Sequence, residues 1–138
     1  LNVSYIYSDL VIQIANTEAR KTQLEGASPF LGNFDISYNY QNGEKNLISS
    51  LVLNYFSNRI HTIGTRSFKD IIEEGVPTLD FVTSYKFRKN ITLKFNASNL
   101  FDPSYKLTRK ASGQSSEKYV LNEYKKGRNI SLGISYEL

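Results

Sequence analysis

The chain has 138 residues, a formal charge of +4, 40% hydrophobic residues, and no Cys, Met or Trp beside 10 Tyr and 8 Phe. The length suits one domain; the lack of Cys excludes a disulfide framework or a thiolate metal site, and the mild charge is no nucleic-acid signature without a clustered basic face. No apolar run approaches the roughly 20 residues of a spanning helix, but membrane-spanning strands need only about ten alternating residues each, so a mean hydropathy of −0.39 fits a soluble protein or a membrane barrel equally.

About six strands are expected, all of period two. Leu1 opens mid-pattern without an initiator Met, as in an excerpt from a longer polypeptide, and the first strand runs to about Ile14, with Val3, Tyr5 and Tyr7 on one side. Asn16 to Glu25 reads as a loop. The second strand sets Phe34, Ile36, Tyr38 and Tyr40 against Asp35, Ser37, Asn39 and Gln41, and ends at Asn42-Gly43, a strong hairpin signal because both residues tolerate positive φ. The third sets Leu51, Leu53 and Tyr55 against Ser50, Val52 and Asn54. After a break from Ile63 to Gly75, the fourth carries Leu79, Phe81, Thr83, Tyr85 and Phe87 on one face and Asp80, Val82, Ser84 and Lys86 on the other.

Lys89-Asn90 turns into the fifth strand, where Ile91, Leu93, Phe95 and Ala97 oppose Thr92, Lys94, Asn96 and Ser98. A polar stretch, Lys106 to Lys118, precedes the last strand, which is expected to reach back to about Leu121 with Gly127 as a bulge or turn. Its final residues alternate without a break: Ile130, Leu132, Ile134, Tyr136 and Leu138 are apolar, and Asn129, Ser131, Gly133, Ser135 and Glu137 are small or polar.

The connections alternate long and short, as they do in outer-membrane barrels, where short turns lie at the periplasmic rim and long loops outside. With the last strand ending at the short-turn rim, both short turns fall on that same rim. Six strands are too few to close a membrane barrel, since the smallest natural ones have eight; the expectation is therefore the end of a larger barrel. Tyr5, Tyr7, Tyr38, Tyr40, Tyr55, Tyr85 and Tyr136 lie toward strand ends on the apolar phase, where interfacial aromatic girdles belong.

Chemistry-bearing motifs are sparse. His61, the single histidine, lacks companions at ligand spacing and reads as a loop residue. Asp80, Lys86 and Lys94 share the wet phase and are expected to form structural salt bridges. No P-loop, dinucleotide fingerprint, nucleophile elbow or zinc-protease helix is present, so the chain is read as a non-enzyme without cofactors and without nucleic acid as a partner.

Three stretches carry a resemblance. Ser131-x-Gly133-x-x-Tyr136-x-Leu138 resembles the C-terminal signal of outer-membrane barrels, departing from it in ending on Leu rather than an aromatic residue. Asn99-Leu100-Phe101-Asp102 is similar to an element of the penultimate strand of TonB-dependent outer-membrane receptors, and Gly127-Arg128, about 26 residues on, is similar to the element that opens their last strand. Gly26-Ala27-Ser28-Pro29-Phe30 through Tyr38 resembles another strand of that family, so the likeness spans most of the chain.

The resemblance implies an all-β chain of antiparallel up-and-down strands, residues 1–138 forming the C-terminal part of a barrel of about 22 strands. It implies import of a scarce nutrient (iron chelate, cobalamin or glycan) across the outer membrane of a Gram-negative cell. The plug domain and upstream strands are absent from this sequence. The implied partners are outer-membrane lipid, the barrel-assembly machinery that reads Ser131, Gly133, Tyr136 and Leu138, the remainder of the receptor, and a surface lipoprotein. A variant holds that the segment is a partly folded substrate of the assembly machinery. The rivals are a soluble up-and-down barrel with a small apolar ligand inside and a soluble β-sandwich. They reverse the apolar phase: Leu93, Phe95, Ile134 and Tyr136 face lipid in one reading and a protein core in the others.

Overall fold

A computed structural model describes residues 1–13, 19–65, 68–111 and 117–137. Among these residues there is no helix, and all strand pairing is antiparallel. The strands are β1 (Asn2–Tyr5), β2 (Leu10–Ile12), β3 (Arg20–Thr22), β4 (Phe30–Asn42), β5 (Lys45–Phe56), β6 (Arg59–Thr62), β7 (Ile71–Glu73), β8 (Pro77–Arg88), β9 (Ile91–Ser98), β10 (Tyr105–Lys110), β11 (Lys118–Tyr124) and β12 (Asn129–Tyr136).

The six strands expected from alternation form one meander sheet, ordered β1-β4-β5-β8-β9-β12. It is open: β1 and β12 are its edges, and among the described residues no closed barrel forms. The tight turn at Gly43 (φ 59°) joins β4 to β5, and Lys89-Asn90 joins β8 to β9. Tyr136 pairs with Ile91, so the end of β12 shares the rim of both short turns. The connections after β1, β5 and β9 all leave from the opposite rim, which preserves the expected long–short rhythm.

Several expected boundaries are corrected. The first strand does not run to Ile14: β1 stops at Tyr5, where the backbone N–H of Ile6 turns to Pro29 O at 2.8 Å, and Ile14 itself lies outside the described residues. The polar segment 16–25 contains β3, paired with β2 in a hairpin. The break at 63–75 contains β7, and the stretch 106–118 overlaps β10. The last strand does not extend back to Leu121, because that residue belongs to β11, and Gly127 (φ 78°) turns the chain between β11 and β12.

These corrections share a cause. The long connections assemble with one another into a second sheet, β11-β10-β7-β6, a cap at the long rim of the meander. Short strands of three to seven residues carry little alternation of their own, and the two neighbouring pairs β6–β7 and β10–β11 become one sheet through the β7–β10 pairing, which joins residues more than 30 apart. Buried residues gather there or beside it: Ile60, Glu73, Val76, Tyr105, Thr108 and Ser28, against Ala97 alone in the meander strands. Arg59 Nε meets the buried Glu73 carboxylate at 2.7 Å while its guanidinium lies 5.0 Å above the Phe56 ring. Phe56, Tyr105 and Tyr124 stack in sequence, and Lys126 Nζ sits 4.0 Å from the Tyr105 ring centre.

Candidate functional site

In an antiparallel ladder directly opposed residues share a face, so register decides whether six alternating strands make one face or a patchwork. Here the register is in phase across the sheet as far as a bulge in β8 near the short rim, where Arg88 opposes Ile91. Tyr40, Leu47, Tyr85, Leu93 and Ile134 form one row across five strands. Tyr38, Ser49, Thr83, Phe95 and Leu132 form the next, then Ile36, Leu51, Phe81, Ala97 and Ile130. The other face is mainly polar, with Asp35, Ser37, Asn39, Asp80, Lys94 and Ser131 among its residues, and Ile48, Val52 and Val82 as its apolar exceptions.

The apolar face is not covered by the cap or by any other part of the described chain. Ile130, Leu132, Ile134 and Tyr136 are 64, 74, 72 and 65% exposed. Two polar residues interrupt this face, and they satisfy each other: Ser49 Oγ and Thr83 Oγ1 are 2.7 Å apart, and the Thr83 hydroxyl also donates to Ile48 O at 3.1 Å. Aromatic residues cluster toward both rims, with Tyr38, Tyr40, Tyr85 and Tyr136 at the short-turn side and Tyr5, Phe30 and Tyr55 at the long-loop side. Tyr7 lies beyond the end of β1.

At the long rim, the Asn99–Asp102 and Gly127–Arg128 elements converge on one clasp. Asn99 (φ 56°) and Asp102 (φ 45°) take left-handed backbone positions, which Asn and Asp tolerate better than most residues. The Asn99 amide side chain donates to Gly127 O at 2.7 Å, and the Gly127 N–H donates to Asp102 Oδ1 at 3.0 Å. Arg128 Nε donates to Leu100 O at 2.9 Å, and the Leu100 N–H donates to Leu79 O at 2.8 Å. Asp80 receives the Asn99 N–H at 2.8 Å. Phe101 stands half exposed on the outside, making none of these bonds.

The clasp solves a problem that alternation leaves open. A one-residue slip of β12 would swap its faces, but a two-residue slip would keep them, since Ile130 and Ile134 or Ser131 and Ser135 are interchangeable in kind. Such a slip would break the bonds from Asn99, Asp102 and Arg128. A second latch closes the short rim: the Asn90 side chain donates to Glu137 O at 2.7 Å, the Glu137 N–H donates to Asn90 O at 2.9 Å, and Lys86 Nζ lies 3.3 Å from Glu137 Oε2. Sequence reasoning missed this latch; an Asn in a tight turn and one carboxylate in an alternating strand give little warning.

The terminal pattern thus divides between faces. Ser131 and Gly133 lie on the polar face, Tyr136 on the apolar one, and Leu138 lies outside the described residues. Gly133 leaves room, since an added Cβ would meet only Lys94 Cβ at 3.9 Å. The anticipated salt bridges rearrange: Lys86 pairs with Glu137, while Asp80 is held by amides, with Asn54 Nδ2 at 3.4 Å as well as Asn99. Lys94 lies opposite Ser84, four residues and about 13 Å along the strand from Asp80, too far to pair. Among the described residues no group of three His, Asp or Glu is placed to hold a metal. Comparisons with protein-family models, curated proteins and solved structures find no match to this chain.

Proposed function

We propose that the chain is a wall segment of a TonB-dependent outer-membrane receptor, its six-stranded sheet facing lipid with the apolar side and the receptor interior with the polar side. The observation that carries this reading is the single apolar face, in register across six strands and left exposed. Contiguous exposed apolar surface of this extent marks a membrane or a partner. Its height fits a bilayer: Phe30 to Tyr40 spans ten residue steps, about 34 Å along the strand and about 26 Å at a 40° tilt, against a band of about 25 Å in known barrels. Open edges cannot face hydrocarbon, so in this reading β1 and β12 pair with further barrel strands, and β12 is the strand offered to the assembly machinery.

Labelling with a lipid-phase carbene probe in detergent-extracted outer membranes tests it. Label on Leu132, Ile134 and Tyr136, with Ser131 and Ser135 spared, is the expected result. Label absent from both sets, with the chain in the soluble fraction, would sink the membrane reading and favour the soluble rivals. The receptor assignment is tested separately by the mass of the intact polypeptide: a value several times 15.8 kDa carrying this segment at its C-terminus is expected.

A further inference from the structure

The cap sheet holds a hollow of about 270 Å³ lined by Gln23, Asn58, Arg59, Ile60, Ile72, Thr108, Lys110 and Lys118. Register explains its make-up. Ile60 opposes Ile72, Ile72 opposes Thr108, and Lys110 opposes Lys118, so three strands present an apolar floor and two lysines stand side by side at one end. Thr108 is 1% exposed, and its hydroxyl is turned to Ile72 O at 3.4 Å, which leaves the floor without a free polar group from that residue.

The charges are unbalanced. Like charges directly opposed on adjacent strands repel, and no carboxylate lines the hollow. Lys118 is paired with Glu74, and Arg59 is committed to Glu73 and to Gly26 O. Lys110 has no ion-pair partner among the described residues. With Lys118 already neutralised by Glu74, Lys110 is the lining cation left without a counter-charge among the described residues; an anion seated beside it would supply one, and an apolar body attached to that anion would cover Ile60 and Ile72.

We propose that this hollow binds a small organic anion, a carboxylate or phosphate joined to an apolar or aromatic body, with Lys110 as the principal charge contact. The site belongs to the cap and stands whether or not the meander sheet spans a membrane.

The test uses the full chain with its lysines reductively methylated with ¹³C, which keeps their charge, in a medium that preserves its strand circular dichroism. Benzoate is the probe, with inorganic phosphate and benzylammonium for comparison. Expected are saturable shifts of the Lys110 and Lys118 methyl signals at millimolar benzoate, weaker ones with phosphate, none with benzylammonium, and about a tenfold weaker affinity in Lys110→Gln. Because Lys110 is exposed, this variant is expected to keep the wild-type spectrum elsewhere, and Lys125→Gln controls for lost charge in general. Shifts that do not saturate, that appear equally at Lys125, or that survive Lys110→Gln would overturn the proposal. Saturation by phosphate alone would overturn the organic-body part of it.

Discussion

The meander and the cap are built from one chain by opposite means. In the meander, β4, β5 and β8 pair over ten to twelve residues each, and a simple alternation puts most apolar side chains on one face, Ile48, Val52 and Val82 lying on the other. In the cap, strands of three to seven residues pair with bulges and are held by an Arg59–Glu73 ion pair, stacked aromatic rings and a few buried side chains. The meander is specified by a period and has almost no buried core; the cap is specified by individual contacts. A substitution in the meander should therefore matter according to what lies against its apolar face, and one in the cap according to what the residue touches.

The largest effect should come from testing that first half. Leu132 is 74% exposed, so in water Leu132→Lys ought to be nearly neutral. In a bilayer it should cost roughly 2–4 kcal/mol near the midplane, whereas Ser131→Lys on the polar face should cost little. Urea titrations of both variants in lipid vesicles measure the difference. Equal, small losses for the two would mean that the apolar face does not contact hydrocarbon.

The next effect belongs to the cap. An added Cβ at Gly75 would run into the backbone of Phe56 and Ser57, where the chain leaves β5, and nothing flexible is there to yield. Gly75→Ala is expected to destabilise the cap by about 1–3 kcal/mol while the β4–β5–β8 ladders stay protected. Site-resolved hydrogen exchange separates the two sheets. A uniform loss of protection across both would show that they unfold together and that the division drawn here is only geometric.

What was legible in the sequence follows the same division. All six meander strands, both short turns and the common rim could be read from alternation, because period-two patterning is local and Gly43 and Asn90 mark the turns. The cap could not. Ile71-Ile72-Glu73 and Tyr105 to Lys110 look like loop because they are short and because the pairing that joins them bridges more than 30 residues, and the end of β11 reads as part of β12 because a lone glycine such as Gly127 marks a bulge within one strand as readily as a turn between two. The site was half legible: Asn99, Asp102, Gly127 and Arg128 stood out as motif residues, but only coordinates bring them into one clasp. Asp80 and Glu137 were given no such part, since a carboxylate in a strand does not disclose whether it meets a lysine or a backbone N–H.

The clasp itself should give a middle-sized effect. Asp102→Ala leaves the Gly127 N–H without its acceptor and frees Lys125, whose ammonium lies 4.0 Å from the other oxygen. A loss of about 1 kcal/mol is expected for an exposed bond of this kind, but its signature is register rather than stability. Cysteines at Asn96 and Ser131, directly opposed in the native ladder, should crosslink efficiently in the parent and less so once Asp102→Ala permits a two-residue slip. Undiminished crosslinking would assign the register of β12 to the Asn90–Glu137 latch instead.

The smallest effect on stability is the most informative about function. Gly133 sits in regular strand with open space above it, so Gly133→Ala should fold as well as the parent, or gain about 0.5 kcal/mol from reduced backbone freedom in the unfolded chain. Nothing in the folded sheet asks for glycine at this position. If it serves recognition of the unpaired strand by assembly machinery, the alanine variant will refold normally in vesicles and yet accumulate poorly in the outer membrane of cells. Normal accumulation would leave Gly133 without a part in assembly, and the terminal pattern would then be no more than the last strand of a sheet.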